Sequence, residues 1–166
     1  VVKMGVGMAM MNSGIITPNT TFESTGTMEL GGRVFRDWKK EGHGMISYVR
    51  AIRESCDDYF YKASLKTGID IIAPFLSKIG FAAKTGIDLP REFMGTVPSR
   101  ERKKARFGKG WSQGETLISS IGQGYFLVTP VQVARYTAFL ATGNGVAPHF
   151  VSKINDVPLD FPVDPN

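Results

Sequence analysis

The sequence predicts a domain of mixed α/β class, of the α+β type, in which helices dominate. Three observations support this prediction. Residues 3–13 are predicted to form a helix that stops at Gly14, and because the first eleven residues are apolar apart from Lys3, this helix is expected to be buried. Residues 15–45 are rich in threonine, glycine and charge, which favours loops with short extended segments. Thr129-Pro130-Val131-Gln132 places a proline at the first helical position inside a capping box, a strong helix start.

The remaining elements are delimited by capping residues or glycines. Ser47 is placed to cap a short helix that ends near Arg53. Two longer helices are predicted, each followed by a glycine, and they span Asp57 to about Lys66 and Ile69 to Ile79.

The second half of the chain contains fewer predicted elements. Residues 81–115 are expected to form a long irregular connection, and residues 116–121 a buried segment. The helix that starts at Pro130 is expected to end near Thr142. Residues 146–154 are predicted as a strand, and the proline-rich tail after them as loop.

Composition limits the function classes. A chain of 166 residues with 42% hydrophobic residues is long enough for one domain with its own core, which excludes a disordered chain. Its single cysteine excludes an internal disulfide. The net charge of +5 suits anionic partners without choosing among them. The opening apolar run is too short for a membrane span, and the absence of an initiator methionine and a signal peptide indicates a fragment of a larger chain.

Lys3 is the only polar residue among the first eleven. A buried lysine is costly unless it is paired or functional. One serine acyl-transfer arrangement places serine and lysine three residues apart on a helix, and Lys3 would complete it if a serine preceded Val1. The alternative is a lysine at a frayed end whose ammonium extends to solvent.

Six sequence blocks, spread in order along most of the chain, resemble the transpeptidase domain of class B penicillin-binding proteins, most closely the elongation-specific subfamily. The blocks are R-D-W-K-K-E-G-H-G (36–44), E-S-C-D-D-Y-F-Y (54–61), T-G-I-D-L-P-R-E (85–92), V-P-S-R-E (97–101), W-S-Q-G-E-T (111–116) and I-G-Q-G-Y-F-L-V-T-P (121–130). The resemblance implies the largely helical part of the penicillin-binding, β-lactamase-like fold, with residues 1–166 forming a partial transpeptidase domain.

The resemblance assigns catalytic roles to three residues. Lys3 corresponds to the lysine of the family's S-x-x-K motif and is the expected general base for a serine just before residue 1. Ser55-Cys56-Asp57 matches the second motif, S-x-N or S-x-D. Ser55 is then expected to relay protons between the lysine and the leaving amine, and Asp57 to orient the lysine and the substrate. The alternative role for Ser55 or Asp57 is that of a helix N-cap.

The family's third motif, K-T-G on a strand, is expected beyond residue 166. Two K-T-G triplets occur within the chain, Lys66-Thr67-Gly68 and Lys84-Thr85-Gly86. Neither lies in a strand pattern, so both are predicted to be turns. Without the serine and the K-T-G strand, residues 1–166 are expected to be inactive alone.

A structural zinc site is a further expectation. Asp37, His43 and Cys56 are suitable tetrahedral zinc ligands, and some close relatives bind zinc with this spacing and one further upstream carboxylate. In this chain that carboxylate would be Glu23, where an aspartate is expected. The alternative is a buried free thiol and a loop histidine bonded to the backbone. No other cofactor is expected.

The implied function is a peptidoglycan D,D-transpeptidase that is acylated by β-lactams. The alternatives are a D,D-carboxypeptidase or serine β-lactamase, and a non-catalytic β-lactam sensor. The family places such domains on the periplasmic face of the bacterial inner membrane, with an elongation glycosyltransferase and scaffold proteins as partners. The basic segment 100–109 is interpreted as a solvated face, with contact to anionic cell-wall polymer or membrane as the alternative. No nucleic-acid-binding motif accompanies that segment, so nucleic acid is not an expected partner.

Overall fold

The structure is a computed structural model that describes residues 1–158. Helices dominate its regular structure, and all strands are short and antiparallel, so the predicted mixed, mostly helical class is confirmed. In chain order, the elements of this described part are α1 (Lys3–Asn12), β1 (Thr21–Ser24), β2 (Thr27–Leu30), β3 (Arg33–Arg36), β4 (Gly44–Ser47), α2 (Tyr48–Arg53), α3 (Asp57–Thr67), α4 (Ile69–Lys78), α5 (Arg100–Phe107), α6 (Gln113–Ser120), α7 (Pro130–Thr142), β5 (Lys153–Ile154) and β6 (Val157–Pro158).

The predicted helix boundaries are confirmed for α1, α2, α3, α4 and α7 to within one or two residues. The capping box of α7 forms as expected, because Thr129 accepts from the Gln132 backbone N–H at 3.2 Å and Gln132 accepts from the Thr129 N–H at 3.1 Å. Gly68 follows α3 with a φ of +81°, a conformation that glycine adopts without strain.

The prediction of an irregular connection over residues 81–115 is wrong in part, because α5 and the start of α6 lie within it. Ser99 caps α5 by accepting from the Arg102 N–H at 3.2 Å, and Ser112 forms a capping box with Glu115 at the start of α6. None of the α5 residues is buried, and a helix that buries no face needs no apolar periodicity. The sequence therefore carried no pattern that would have predicted this helix.

The predicted strand at residues 146–154 is also wrong for most of its length. Only Lys153–Ile154 pairs, with Val157–Pro158. The backbone N–H groups of Phe150 and Val151 donate instead to the Asp88 carboxylate, both at 2.8 Å, so this carboxylate takes the place of a strand partner. The tail beyond residue 158, predicted as loop, lies outside the described residues.

The chain divides into two compact units, and the first comprises Val1–Leu76 and Pro98–Phe126. Helix α3 is at its centre and packs against α6, α1 and β1. Its Tyr59 and Phe60 are fully buried, which contributes roughly 1.5–3 kcal/mol for each large apolar side chain. In the same unit β1 pairs with β4 and β2 with β3.

Close packing of α1 depends on Gly7. A Cβ atom at this position would lie 2.2 Å from the ring of Tyr48 in α2, far inside a normal contact. Glycine therefore lets α1 pack closely against the start of α2. This close packing positions the first turn of α1, which carries Lys3.

The second unit comprises Ser77–Val97 and the chain from Leu127 onward. Tyr136 of α7 packs against Phe81 with ring centroids 4.8 Å apart. The buried Gln132 amide donates to the carbonyls of Ala83 and Met94 at 2.6 and 2.7 Å, tying α7 to the preceding loop.

Across residues 1–158, none of the helices combines the length and the apolar character that crossing a bilayer requires.

Candidate active site

The first turn of α1 carries Lys3, whose side chain is 14% exposed. Its ammonium has three donors and three oxygen partners: the Ser55 Oγ at 3.0 Å, the Ser55 carbonyl at 2.7 Å and the Asp57 carboxylate at 2.6 Å. The ammonium also lies 5.5 Å from the ring centroid of Phe60. All three residues predicted to be catalytic are therefore brought together in one cluster, and Lys3 is paired rather than extended to solvent.

Ser55 lies in the turn between α2 and α3 with a φ of +53°, which is unfavourable for a residue with a side chain. Such a conformation costs on the order of 1–3 kcal/mol and persists only where the surroundings impose it. Here the backbone N–H groups of Ser55 and Cys56 donate to the carbonyls of Ile52 and Ala51, at 3.2 and 2.9 Å. The turn presents the Ser55 hydroxyl to Lys3.

Cys56 rather than Ser55 or Asp57 occupies the N-cap position of α3, and its Sγ accepts from the Tyr59 N–H at 3.4 Å. The alternative interpretation of Ser55 and Asp57 as simple N-caps is therefore wrong. Asp57 is the first residue of the helix, where a carboxylate is stabilised by the helix dipole as well as by Lys3.

A second, buried cluster lies behind the same turn and joins Asp37, His43 and Cys56. One ligand atom from each residue lies within 4.8 Å of the others. The His43 Nε2 is 3.3 Å from the Asp37 Oδ1, and the His43 Nδ1 is 2.9 Å from the Glu54 carboxylate. The Asp37 Oδ2 accepts from the Asp58 N–H at 3.0 Å. The cluster thus contacts residues on both sides of Ser55.

The electrostatics of this buried cluster follow from its contacts. Burial favours the neutral acid at Asp37, but the hydrogen bonds from the backbone N–H groups of Asp58 and Lys39 and from the side chains of Cys56 and His43 together outweigh it, so the pKa of Asp37 lies below its ordinary value. Burial raises the pKa of the Cys56 thiol to about 11. Hydrogen bonds from Arg50 and His43 lower the pKa of Glu54 to about 2.

These residues fit a zinc ion. Sulfur, nitrogen and oxygen donors in a buried group are a normal zinc ligand set, and the Glu54 carboxylate on the far nitrogen of His43 would fix the ring as outer ligands usually do. Because the Cys56 thiol is protonated at neutral pH, zinc binding would release its proton.

The predicted fourth ligand is wrong in placement, because Glu23 does not join this group. Side chains alternate along strand β1, so Glu23 is exposed while its neighbour Ser24 is buried. The Ser24 hydroxyl accepts a hydrogen bond from the Cys56 thiol at 3.5 Å and one from the backbone N–H of His43 at 3.2 Å.

Neither K-T-G triplet lies in a strand, as predicted: the first closes α3 and the second lies in a loop. Lys66 and Thr67 end α3, and Gly68 follows as its C-cap. At the other triplet, the Glu92 carboxylate accepts from the N–H and hydroxyl of Thr85, both at 2.6 Å, and from the Gly86 N–H at 3.1 Å. These hydrogen bonds to Glu92 hold the second triplet in its loop conformation.

The basic segment 100–109 forms the exposed helix α5 and the residues after it. Two of its charges are paired, Arg100 with Asp70 at 2.8 Å and Lys103 with Glu115 at 2.6 Å. The interpretation as a solvated face agrees with the absence of buried residues in α5.

Residues 1–166 match the family model described as the penicillin-binding protein transpeptidase domain. The chain is 44% identical over 153 residues to the peptidoglycan D,D-transpeptidase MrdA of Salmonella typhimurium, covering 90% of this chain and 25% of the relative. It therefore spans about a quarter of the length of that relative.

Two solved structures show the same fold. The penicillin-binding protein PBP2 of Helicobacter pylori in complex with MreC matches with a TM-score of 0.90 and 48% identity, covering 99% of this chain and 30% of that one. The PBP2 of Pseudomonas aeruginosa in complex with WCK 5153 matches with a TM-score of 0.88 and 39% identity, covering 99% and 38%. The chain belongs to the penicillin-binding protein transpeptidase family.

Proposed function

We propose that the chain is part of a peptidoglycan D,D-transpeptidase that cross-links stem peptides through an acyl-serine intermediate and is acylated by β-lactams. The observation that carries this proposal is the Lys3 ammonium held 3.0 Å from the Ser55 hydroxyl and 2.6 Å from the Asp57 carboxylate. The similarity to a peptidoglycan D,D-transpeptidase supports the same reaction class.

The chemistry assigns one role to each residue. As the proposed general base, Lys3 takes the proton of the serine predicted before Val1, and the serine oxygen bonds to the D-Ala-D-Ala carbonyl carbon. The carbonyl carbon–nitrogen bond then breaks, and Ser55 passes a proton from Lys3 to the departing D-alanine amine. In the second half, the amine of a neighbouring strand attacks the ester, forms the new amide and gives up a proton, and the serine regains its own. Asp57 orients the Lys3 ammonium through their ion pair.

We also propose that Asp37, His43 and Cys56 would hold a structural zinc ion, with the Ser24 hydroxyl 3.5 Å from the Cys56 Sγ beside them. Bound there, zinc would stabilise the fold around the turn rather than take part in the reaction. The support is the buried donor set, which contacts Glu54 on one side of Ser55 and Asp58 on the other.

The cellular setting is likewise a proposal. The domain would face the periplasm from the bacterial inner membrane and act beside an elongation glycosyltransferase and scaffold proteins. The complex of the Helicobacter pylori relative with MreC supports an assembly of this kind.

The test is turnover by the full-length protein with a labelled penicillin and with a D-Ala-D-Ala pentapeptide, with and without an amine acceptor. A covalent penicillin adduct and a cross-linked product are expected. Hydrolysis alone in the presence of acceptor would indicate a carboxypeptidase, and penicillin cleavage with rapid release a β-lactamase. A long-lived adduct with no peptide turnover would indicate a sensor.

A further inference from the structure

An open cavity of about 630 Å³ begins at Ser55, within the first unit. Ser55, His43 and Glu54 in its lining already have assigned roles, whereas Trp38, Lys39 and Arg53 have none so far. Its lining residues are Trp38, Lys39, His43, Arg53, Glu54 and Ser55.

The cavity carries positive charge that its single carboxylate does not neutralise. The Arg53 side chain is 76% exposed, and its ion-pair contact with the Glu54 carboxylate is long, at 3.5 Å. That carboxylate already accepts from Arg50 at 2.6 Å and lies 2.9 Å from His43. Lys39 has no ion pair among the described residues. Two cations are therefore available to an anionic ligand.

An aromatic ring is held in place at the same cavity. Trp38 is 65% exposed, yet its indole N–H donates to the Glu54 carbonyl at 3.0 Å and its ring meets His43 edge to face with centroids 5.6 Å apart. A large exposed ring that is already fixed loses little conformational entropy when a ligand packs on it.

We propose that this cavity is the subsite for the acceptor strand, a peptide that carries an amine nucleophile and a carboxylate. Arg53 and Lys39 bind the carboxylate, and Trp38 packs against the apolar part of the peptide. The inference rests on the proposed function, in which Ser55 passes a proton to the departing amine. By microscopic reversibility the incoming amine meets Ser55 in the same way, so a cavity that begins at Ser55 is placed to hold the acceptor.

The test compares Arg53→Gln, Lys39→Gln and the double variant with Lys40→Gln in the full-length protein. Lys40 is an exposed neighbour outside the cavity, so its substitution removes the same charge without touching the subsite. Each protein is assayed with an acceptor peptide that has a free carboxylate and with the same peptide amidated there. The rate of acylation by a labelled penicillin is measured in parallel.

For the carboxylate acceptor, Arg53→Gln and Lys39→Gln should each raise the acceptor KM about fivefold at most, the effect of one exposed ion pair, with kcat little changed. The wild type should bind the amidated acceptor more weakly, and the variants should then have little further effect. Lys40→Gln and the penicillin acylation rate should be unchanged throughout.

An unchanged acceptor KM in the double variant would overturn the subsite. Equal losses with both acceptors would show that the residues do not recognise the carboxylate, and an effect on the donor KM would exclude acceptor binding here. Absence of penicillin acylation in the wild type is a different result, since it would overturn the proposed function itself.

Discussion

Two clusters of polar residues share the turn between α2 and α3 but differ in exposure and in the roles proposed for them. Lys3, Ser55 and Asp57 form the first, at the surface, with Lys3 and Asp57 side chains 14% and 20% exposed. Asp37, His43 and Cys56 form the second, in which the first two side chains are at most 1% exposed and Cys56 is fully buried. Consecutive residues of one turn thus serve opposite clusters.

This difference in exposure shows how the strained turn at Ser55 is held in its conformation. Ser55 keeps its positive φ because its neighbours are fixed from behind, with Glu54 next to His43 and the Asp58 N–H donating to Asp37. Under the proposed function, the exposed cluster exchanges protons with the substrate while the buried cluster holds the turn. Substitutions in the two clusters should therefore have different effects.

Lys3→Ala should have the largest effect. It removes the predicted general base, so penicillin acylation of the full-length protein should slow by on the order of 10²-fold or more. Its melting temperature should change little, because the ion pair that is lost is partly exposed. Intact-mass kinetics measure the rate, and normal acylation would remove Lys3 from the mechanism.

Cys56→Ser should show the opposite pattern, with loss of stability coming first. Serine is a good N-cap, so the variant can retain the cap of α3 and lose only the thiolate. If zinc is present at about 100 times its Kd, removing it costs about 2.7 kcal/mol.

The measurement for this variant is thermal unfolding with and without chelator, alongside elemental analysis. Chelator should lower the melting temperature of the wild type and leave Cys56→Ser nearly unaffected, with about one zinc per wild-type chain expected. The contradicting outcome is a wild-type protein, never exposed to chelator, that contains no metal and whose melting temperature does not respond to added zinc. Cys56 would then be a free buried thiol.

Glu92→Gln should produce a smaller, purely structural effect. Burial would raise the pKa of Glu92, but hydrogen bonds from Thr85 hold it below its ordinary value of 4.5. A carboxylate with a lowered pKa stabilises the fold above that ordinary value, and the contribution is lost as the pH falls through the folded-state pKa. The substitution should cost about 1 kcal/mol at neutral pH and progressively less in acid.

Thermal unfolding as a function of pH measures this difference. Penicillin acylation should be unchanged in Glu92→Gln. A stability difference that persisted at low pH would show that the charge of Glu92 is not what holds the turn.

The smallest effects are expected from Lys66→Ala and Lys84→Ala, which alter the two K-T-G triplets. Lys66 lies over the Phe22 ring at 4.9 Å from its centroid, a contact worth about 0.5–1 kcal/mol at an exposed site. Acylation by penicillin should stay within about twofold of the wild type, as for ordinary surface substitutions. A large loss from either variant at an unchanged melting temperature would mean that one triplet is the functional motif.

The sequence predicted that Lys3, Ser55 and Asp57 act together, and the structure brings the three side chains into contact, while their catalytic roles stay a prediction. The buried cluster was predicted except for its fourth member. Choosing between Glu23 and Ser24 depends on which face of β1 points inward, and a four-residue strand gives too little pattern to decide this. The role of Glu54 beside His43 depends on tertiary contact alone.

The fold was predictable where helices carry both an apolar face and a cap, as in α7 with its Thr129 capping box. The prediction from sequence failed at α5, which has a cap at Ser99 but no apolar face. The prediction failed again near Phe150. There the Asp88 carboxylate, 62 residues earlier in the chain, accepts the backbone hydrogen bond that a neighbouring strand would otherwise accept. Local sequence does not carry information of that range.

The central claim is that Lys3, Ser55 and Asp57 serve a nucleophile directly before Val1 and are not nucleophiles themselves. The most direct measurement is peptide mapping by mass spectrometry of the full-length protein after labelling with penicillin. The account predicts one adduct, on a serine immediately preceding Val1, and the same adduct forming slowly in Lys3→Ala. An adduct on Ser55, or on a residue away from this cluster, would contradict it.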